Sequence, residues 1–99
     1  MLADMATQVE AARALVYAAA RTIDSGAKDF TRESAMTKVF ASDTAVRVTT
    51  DAMQIFGGVG YMRDYPIEKM FRDAKITQIY EGSNQVLRNA IAFELRKKA

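Results

Sequence analysis

The chain has 99 residues, 49% of them hydrophobic and 26% charged, which suits one soluble globular domain with a core of its own. Its formal net charge is +2, with acids and bases interspersed, so no strong basic field points to nucleic acid. Cysteine and histidine are absent; disulfides, the common zinc sites and a Ser-His or Cys-His pair are excluded, leaving Asp, Glu, Lys and Tyr for proton transfer.

No apolar run approaches the roughly 18 residues that span a membrane. The first residues include Asp4 and Glu10 and resemble neither a signal nor a basic transit peptide. The expected location is therefore intracellular: cytoplasmic, or the mitochondrial matrix if the source is eukaryotic.

From Leu2 to Ser25 the pattern is helical. Leu2, Met5, Val9, Ala12, Val16, Ala19 and Ile23 recur at three- and four-residue steps along one stripe. Gly26 suits the stop, and Asp29 or Thr31 suits the cap of the next helix. A second helix is predicted from Thr31 to Phe56, with Met36, Val39 or Phe40, Val46, Thr50, Met53 and Phe56 on its stripe. Asp43 interrupts that stripe, so it faces a polar junction or sits off the core. Gly57 to Tyr65 reads as a loop, with Pro66 as the first residue of a third helix. Ile67, Met70, Phe71 and Ala74 form that helix's apolar face, and it ends between Ala74 and Ile79. Ser83 or Asn84 caps a fourth helix running to about Lys97, whose buried face is Val86, Leu87, Ala90, Ile91, Phe93 and Leu95. Arg96, Lys97 and Lys98 complement its dipole. The expected fold is all-α, an antiparallel four-helix bundle.

Two segments can carry chemistry. Gln54-Ile55-Phe56-Gly57-Gly58-Val59-Gly60-Tyr61 reads either as a helix end followed by a flexible turn, or as a contact for a phosphate or dinucleotide, which small residues let approach the backbone. Its glycine spacing, following a helix, is neither a Rossmann nor a Walker pattern. Ile79-Tyr80-Glu81-Gly82-Ser83-Asn84-Gln85 reads either as a polar turn with a solvated Glu81, or as a loop presenting a carboxylate just before a helix N-terminus. There the helix dipole favours the charged carboxylate and an apolar ligand closing over it disfavours that charge, which suits a general base.

"QIFGGVGY", "YPIEKMFRDAKI" and "QIYEGSNQVLR", in that order and spacing, with "LADMATQVEAAR" and "ESAMTKVFASDTA" before them, resemble the C-terminal helical domain of the acyl-CoA dehydrogenase family over essentially the whole chain. The resemblance implies an oxidoreductase of fatty acid metabolism, a flavoprotein that uses FAD to convert an acyl-CoA thioester to the trans-2-enoyl-CoA and passes electrons to an electron-transfer flavoprotein. It places Glu81 as the base that removes the α-proton, its backbone N–H helping to polarise the thioester carbonyl. Gln54, Ile55, Phe56, Gly57 and Gly58 match the segment that touches the FAD of a neighbouring subunit. Ser83, Asn84 and Gln85 match the stretch that touches FAD in the same chain's active site. Serine stands at position 83 where the family usually has threonine; the hydroxyl is kept. Tyr80 is expected to line the acyl pocket, or equally to pack in the bundle, and Gly82 to lie against the thioester. Arg72 and Asp73 are expected to form a charged pair closing the bundle. Some branches of the family carry the base on the first helix and a small residue at position 81; Glu81 points to the short- or medium-chain branches.

The same resemblance implies that residues 1–99 form a single C-terminal domain, without the family's N-terminal helical and middle β domains. Such a chain alone is expected to bind FAD poorly, to be inactive, and to associate as a homo-oligomer, a dimer or tetramer, through apolar surface meant for other domains. The competing reading is a helical-bundle oligomerisation or interaction module without chemistry. It accounts for the periodicity but not for the two motifs occurring together.

Overall fold

The computed structural model describes residues 1–97; Lys98, the last of the expected dipole-complementing bases, lies outside them. Five helices follow in order: α1 (Leu2–Asp24), α2 (Thr31–Phe56), α3 (Gly58–Tyr61), α4 (Ile67–Ile76) and α5 (Asn84–Lys97). The four long helices fall where the sequence periodicity puts them. None is long and apolar enough to cross a membrane.

Helix α2 is the hub on which α1, α4 and α5 all pack. It starts under the Asp29 side chain, which accepts the Thr31 N–H at 3.1 Å. It stops at Gly57, whose φ of 72° and ψ of −150° belong to a region that only glycine enters freely. The body is elongated, 48 × 23 × 22 Å.

The glycine-rich stretch after α2 is not all loop. Residues 58–61 close one helical turn, with the Gly60 N–H donating to the Gly57 carbonyl at 2.9 Å. Close packing explains the correction. Gly60 is buried against α2, and a Cβ there would stand 2.6 Å from the Phe56 Cβ and 3.0 Å from the Met53 carbonyl oxygen. Pro66 sits one place before α4 as its N-cap.

The core is thin and built from small side chains: Ala19, Ala35, Val39, Ile67 and Ala74 are its buried hydrophobics. On α1 the covered line is Met5, Gln8, Ala12, Leu15, Ala19 and Thr22, whereas Leu2, Val9, Val16 and Ile23 are exposed. The expected stripe is therefore rotated. Among the described residues the helix packs on α2 alone, so a single contact seam suffices, and every seventh residue of the predicted stripe is left as an apolar line in water. Helix α5 shows the same shift. Its covered line is Asn84, Leu87, Ile91 and Glu94, while Val86, Phe93 and Leu95 face out. The Phe93 ring lies under Arg96 and Lys97, 5.6 and 5.5 Å from its centroid.

Arg72 and Asp73 do not pair with each other. One helical turn separates partners on α4, so Arg72 reaches Glu68 at 2.9 Å and Lys69 reaches Asp73 at 2.7 Å.

Candidate active site

Helix α4 unwinds rather than stopping abruptly. The Ile79 and Tyr80 N–H groups both donate to the Ile76 carbonyl at 3.0 Å, and the chain then reverses through Glu81 and Gly82. Both residues are left-handed, with φ of 55° and 84°. Among the described residues Glu81 is the only non-glycine with positive φ. That conformation costs an L-residue about 1–2 kcal/mol, so something must hold it. Ser83 then begins α5: its hydroxyl accepts the Val86 N–H at 3.3 Å and its carbonyl the Leu87 N–H at 2.9 Å. The Glu81 side chain is exposed, and no hydrogen bond or ion pair holds its carboxylate among the described residues.

A polar cluster beneath the turn supplies the hold. The Asn84 side chain, 3% exposed, donates to the Ser42 hydroxyl at 2.8 Å and to Asp43 Oδ1 at 2.7 Å. Its Oδ1 accepts Lys38 Nζ at 2.7 Å, and its backbone N–H donates to the Gln78 carbonyl at 3.0 Å. Lys38 Nζ also donates to the Gly82 carbonyl at 2.9 Å. Asp43 further accepts Gln78 Nε2 at 2.9 Å and pairs with Arg88. Burial alone would raise the Asp43 carboxyl, but the hydrogen bonds from Asn84, Arg88 and Gln78 outweigh it and hold the group below its ordinary value. Asp43 thus stands at a polar junction where α2, the end of α4 and the start of α5 meet.

Tyr80, half-exposed, lines a shallow groove of about 260 Å³ with Lys38, Ala41, Ser42, Ala45 and Thr77. Its lining is apolar apart from Lys38 and the hydroxyls, and it opens beside the Glu81 turn. A larger groove of about 470 Å³ lies at the other end of α2 between Thr50, Met53, Gln54, Gly57, Gly58, Tyr61 and Phe71. Here Cβ atoms at Gly57 and Gly58 would meet nothing within 4 Å. The bare backbone faces open space beside the Gln54 amide, the Tyr61 and Phe71 rings, and the Thr50 hydroxyl, whose proton goes to the Val46 carbonyl at 2.6 Å. The Gln54 amide as donor and the two flat rings are compatible with part of a dinucleotide. Ile55 is exposed away from the groove, and Phe56 packs its ring 5.5 Å from that of Tyr65.

The two motifs are not brought together within one chain. Lys38, which touches the Glu81 turn, and Gly57 lie roughly 28 Å apart along α2 at about 1.5 Å per residue. Of the residues singled out by sequence, Tyr80, Glu81, Gly82, Ser83 and Gln85 share the α4–α5 turn, with Gln85 exposed on the first turn of α5. Asn84 shares that turn too, with its side chain turned inward. Gln54, Gly57 and Gly58 share the distant groove. Sequence reasoning assigned Lys38, Gln78 and Arg88 no role, and placed Thr50, Met53 and Phe71 on apolar helix faces and not at a site. Asp43 breaking an apolar stripe was the one visible sign of the cluster; Lys38 and Arg88 look like ordinary surface charges. Among the described residues no group of three or more acidic side chains is placed to hold a metal ion.

Residues 1–95 match the family model described as "Acyl-CoA dehydrogenase, C-terminal domain". The chain belongs to the acyl-CoA dehydrogenase family. It is 57% identical over all 99 residues to the cyclohexane-1-carbonyl-CoA dehydrogenase of Geobacter metallireducens, covering 26% of that protein. It is 61% identical over 88 residues to a probable acyl-CoA dehydrogenase, fadE25, of Mycobacterium leprae, covering 89% of this chain and 23% of that one. The solved butyryl-CoA dehydrogenase of Megasphaera elsdenii superposes with a TM-score of 0.90 at 55% identity, over 95% of this chain and 24% of that one. This acyl-CoA dehydrogenase domain therefore spans about a quarter of the length of these relatives. The helices that carry both motifs lie inside the matched region.

Proposed function

We propose that this chain is the C-terminal helical domain of an FAD-dependent acyl-CoA dehydrogenase, in which Glu81 is the base that takes the substrate's α-proton. The observation that carries the reading is the Glu81 turn. A carboxylate without a partner among the described residues stands on a strained, left-handed turn fixed from below and open to solvent above. A merely solvated surface acid has no need of that backbone, which stores strain in the way functional sites do.

In the proposed step the Glu81 carboxylate removes the proton from the α-carbon of an acyl-CoA thioester. The electron pair of that C–H bond becomes the second bond between the α- and β-carbons as the β-hydrogen departs, giving the trans-2-enoyl-CoA. The chemistry FAD supplies when bound is acceptance of that β-hydrogen as hydride. The Glu81 N–H assists by polarising the thioester carbonyl, which makes the α-carbon more acidic. Gly82 lies against the thioester, and the acyl chain runs beside Tyr80 along the groove of Ala41, Ala45 and Thr77. Ser83, Asn84 and Gln85 would help hold FAD in the same chain's site, the Asn84 side chain also tying the turn to α2.

Gln54, Ile55, Phe56, Gly57 and Gly58 belong, on this reading, to the FAD site of a neighbouring copy. The roughly 28 Å between the two motifs supports that division, because one turn and one groove so far apart serve two different cofactors more readily than one. A homo-oligomer, dimer or tetramer, follows. The apolar line Leu2, Val9, Val16 and Ile23 supports further burial of α1 against other parts of the enzyme. Electrons leave to an electron-transfer flavoprotein. Residues 1–99 match about a quarter of the relatives' length, and taken alone they are expected to hold FAD poorly and not to turn over.

The test is Glu81→Gln in the full-length enzyme. Loss of the general base should lower acyl-CoA oxidation about 10³-fold while the FAD absorbance stays stoichiometric. Activity that survives the substitution removes Glu81 from the role.

A further inference from the structure

Lys38 is a mid-helix residue of α2, and its side chain crosses to a loop 44 residues away. Its ammonium makes two hydrogen bonds there, to the Gly82 carbonyl at 2.9 Å and to Asn84 Oδ1 at 2.7 Å. Among the described residues it is the one side chain of another helix bonded to the backbone of residues 80–83. The acceptor it has chosen matters. Gly82 directly follows Glu81, and these two residues hold the consecutive left-handed dihedrals. Turning the peptide after Gly82 would let the Gly82 dihedrals relax and swing the neighbouring carboxylate. A carbonyl on so exposed a turn can be satisfied by water, so its own hydrogen-bonding need does not explain a lysine drawn from another helix.

The second bond gives the anchor a rigid base. Asn84 Oδ1 is fixed because its amide nitrogen is held by Ser42 and Asp43, and Asp43 is held in turn by Gln78 and Arg88. Charged donors give shorter and stronger bonds than neutral ones, so the ammonium is suited to clamp a strained turn.

We infer that Lys38 is a positioning residue for the reaction, clamping the Gly82 carbonyl so that the left-handed Glu81 turn aims its carboxylate at the substrate's α-carbon. The inference rests on the reading of Glu81 as base.

The experiment compares Lys38→Met, which keeps the stem and removes the ammonium, with Lys38→Arg, which keeps donors at the tip, in the full-length enzyme. Lys38→Met should lower kcat about tenfold to a hundredfold, the scale expected of a misaimed group. The KM for acyl-CoA should move less than about threefold, since binding contacts remain. Bound FAD should stay stoichiometric, and exchange of the substrate α-proton with deuterated solvent should slow in step with kcat. Lys38→Arg should recover kcat to within about threefold of the parent. A Lys38→Met enzyme within about twofold of the parent kcat overturns the inference. So does a fall in kcat matched by loss of FAD, and so does an arginine variant no better than methionine. If the methionine variant does not fold, Lys38→Leu, which likewise carries no donor to Gly82, is judged by the same kcat criterion. Glu81→Gln run alongside separates the two ideas. Its loss of exchange with a normal Lys38→Met sinks the clamp alone, whereas retained exchange in Glu81→Gln sinks the base assignment itself.

Discussion

The end of α2 and the turn between α4 and α5 both interrupt helices with glycine, yet they are built on opposite principles. At Gly57 and Gly58 the chain gives up side chains, and the bare backbone opens onto a broad groove. At Glu81 a full side chain is kept where glycine would be comfortable, and a buried polar cluster holds the backbone in place. The first construction leaves open backbone surface, which the proposed function gives to a ligand. The second fixes a turn that, on the proposed function, aims its carboxylate. Which glycine-containing turn aims and which receives is decided by the side chain at positive φ and by the bonds that hold it, not by the glycine count.

The strongest way to break this contrast is to remove the tie beneath the aimed turn. Asn84→Ala strips partners from Lys38, Ser42 and Asp43 together, two of them charged. It should cost about 3 kcal/mol in equilibrium urea unfolding, because buried partners are left unsatisfied. A neutral substitution would mean that the turn does not depend on the cluster. On the receiving side, Gly60→Ala tests whether the glycine end is packed rather than merely flexible. The added methyl meets the Phe56 Cβ at 2.6 Å and the Met53 backbone, so overpacking should cost about 2 kcal/mol in the same measurement. A loop that tolerates alanine there would return the segment to the flexible turn that its composition suggests.

The smallest expected effect is on pH dependence, and it sharpens the role of Asp43. Its folded-state carboxyl titrates below its ordinary value. Its contribution to stability is therefore complete above the ordinary aspartate value, about 3.9, and is lost as the pH falls through the depressed folded value. Glu68, held down first by the hydrogen bond from Arg72, acts in the same direction from the surface of α4. The melting temperature should therefore fall as the pH is taken down through the acid range. Asp43→Asn should flatten part of that fall, whereas a variant that melts with the parent's full pH dependence would show that the junction's charge is idle.

Much of this was legible in the linear sequence because it is local. Helix periodicity, Gly57 as a stop and Ser83 as a cap depend on neighbours a few residues apart, and α1, α2, α4 and α5 stand where those signals put them. The Glu81 turn was also legible as a place for chemistry, since a carboxylate beside a glycine before a helix is a local pattern. The faces of the helices were less so. Val9 and Val16 joined an apolar stripe, but α1 meets only α2 and turns Gln8 and Leu15 inward with Ala19. Hydrophobicity alone does not say how many neighbours a helix will have.

The sequence by itself determined the order of the four long helices and the family resemblance, and offered Glu81 as a candidate base, because propensity, capping and motif spacing are written within a few residues. The tertiary structure alone decided that α2 is the hub and that Lys38 and Asp43 come to rest under a turn some forty residues onward. Bond partners across such separations are selected by which helix faces pack together, and packing is a property of the whole chain.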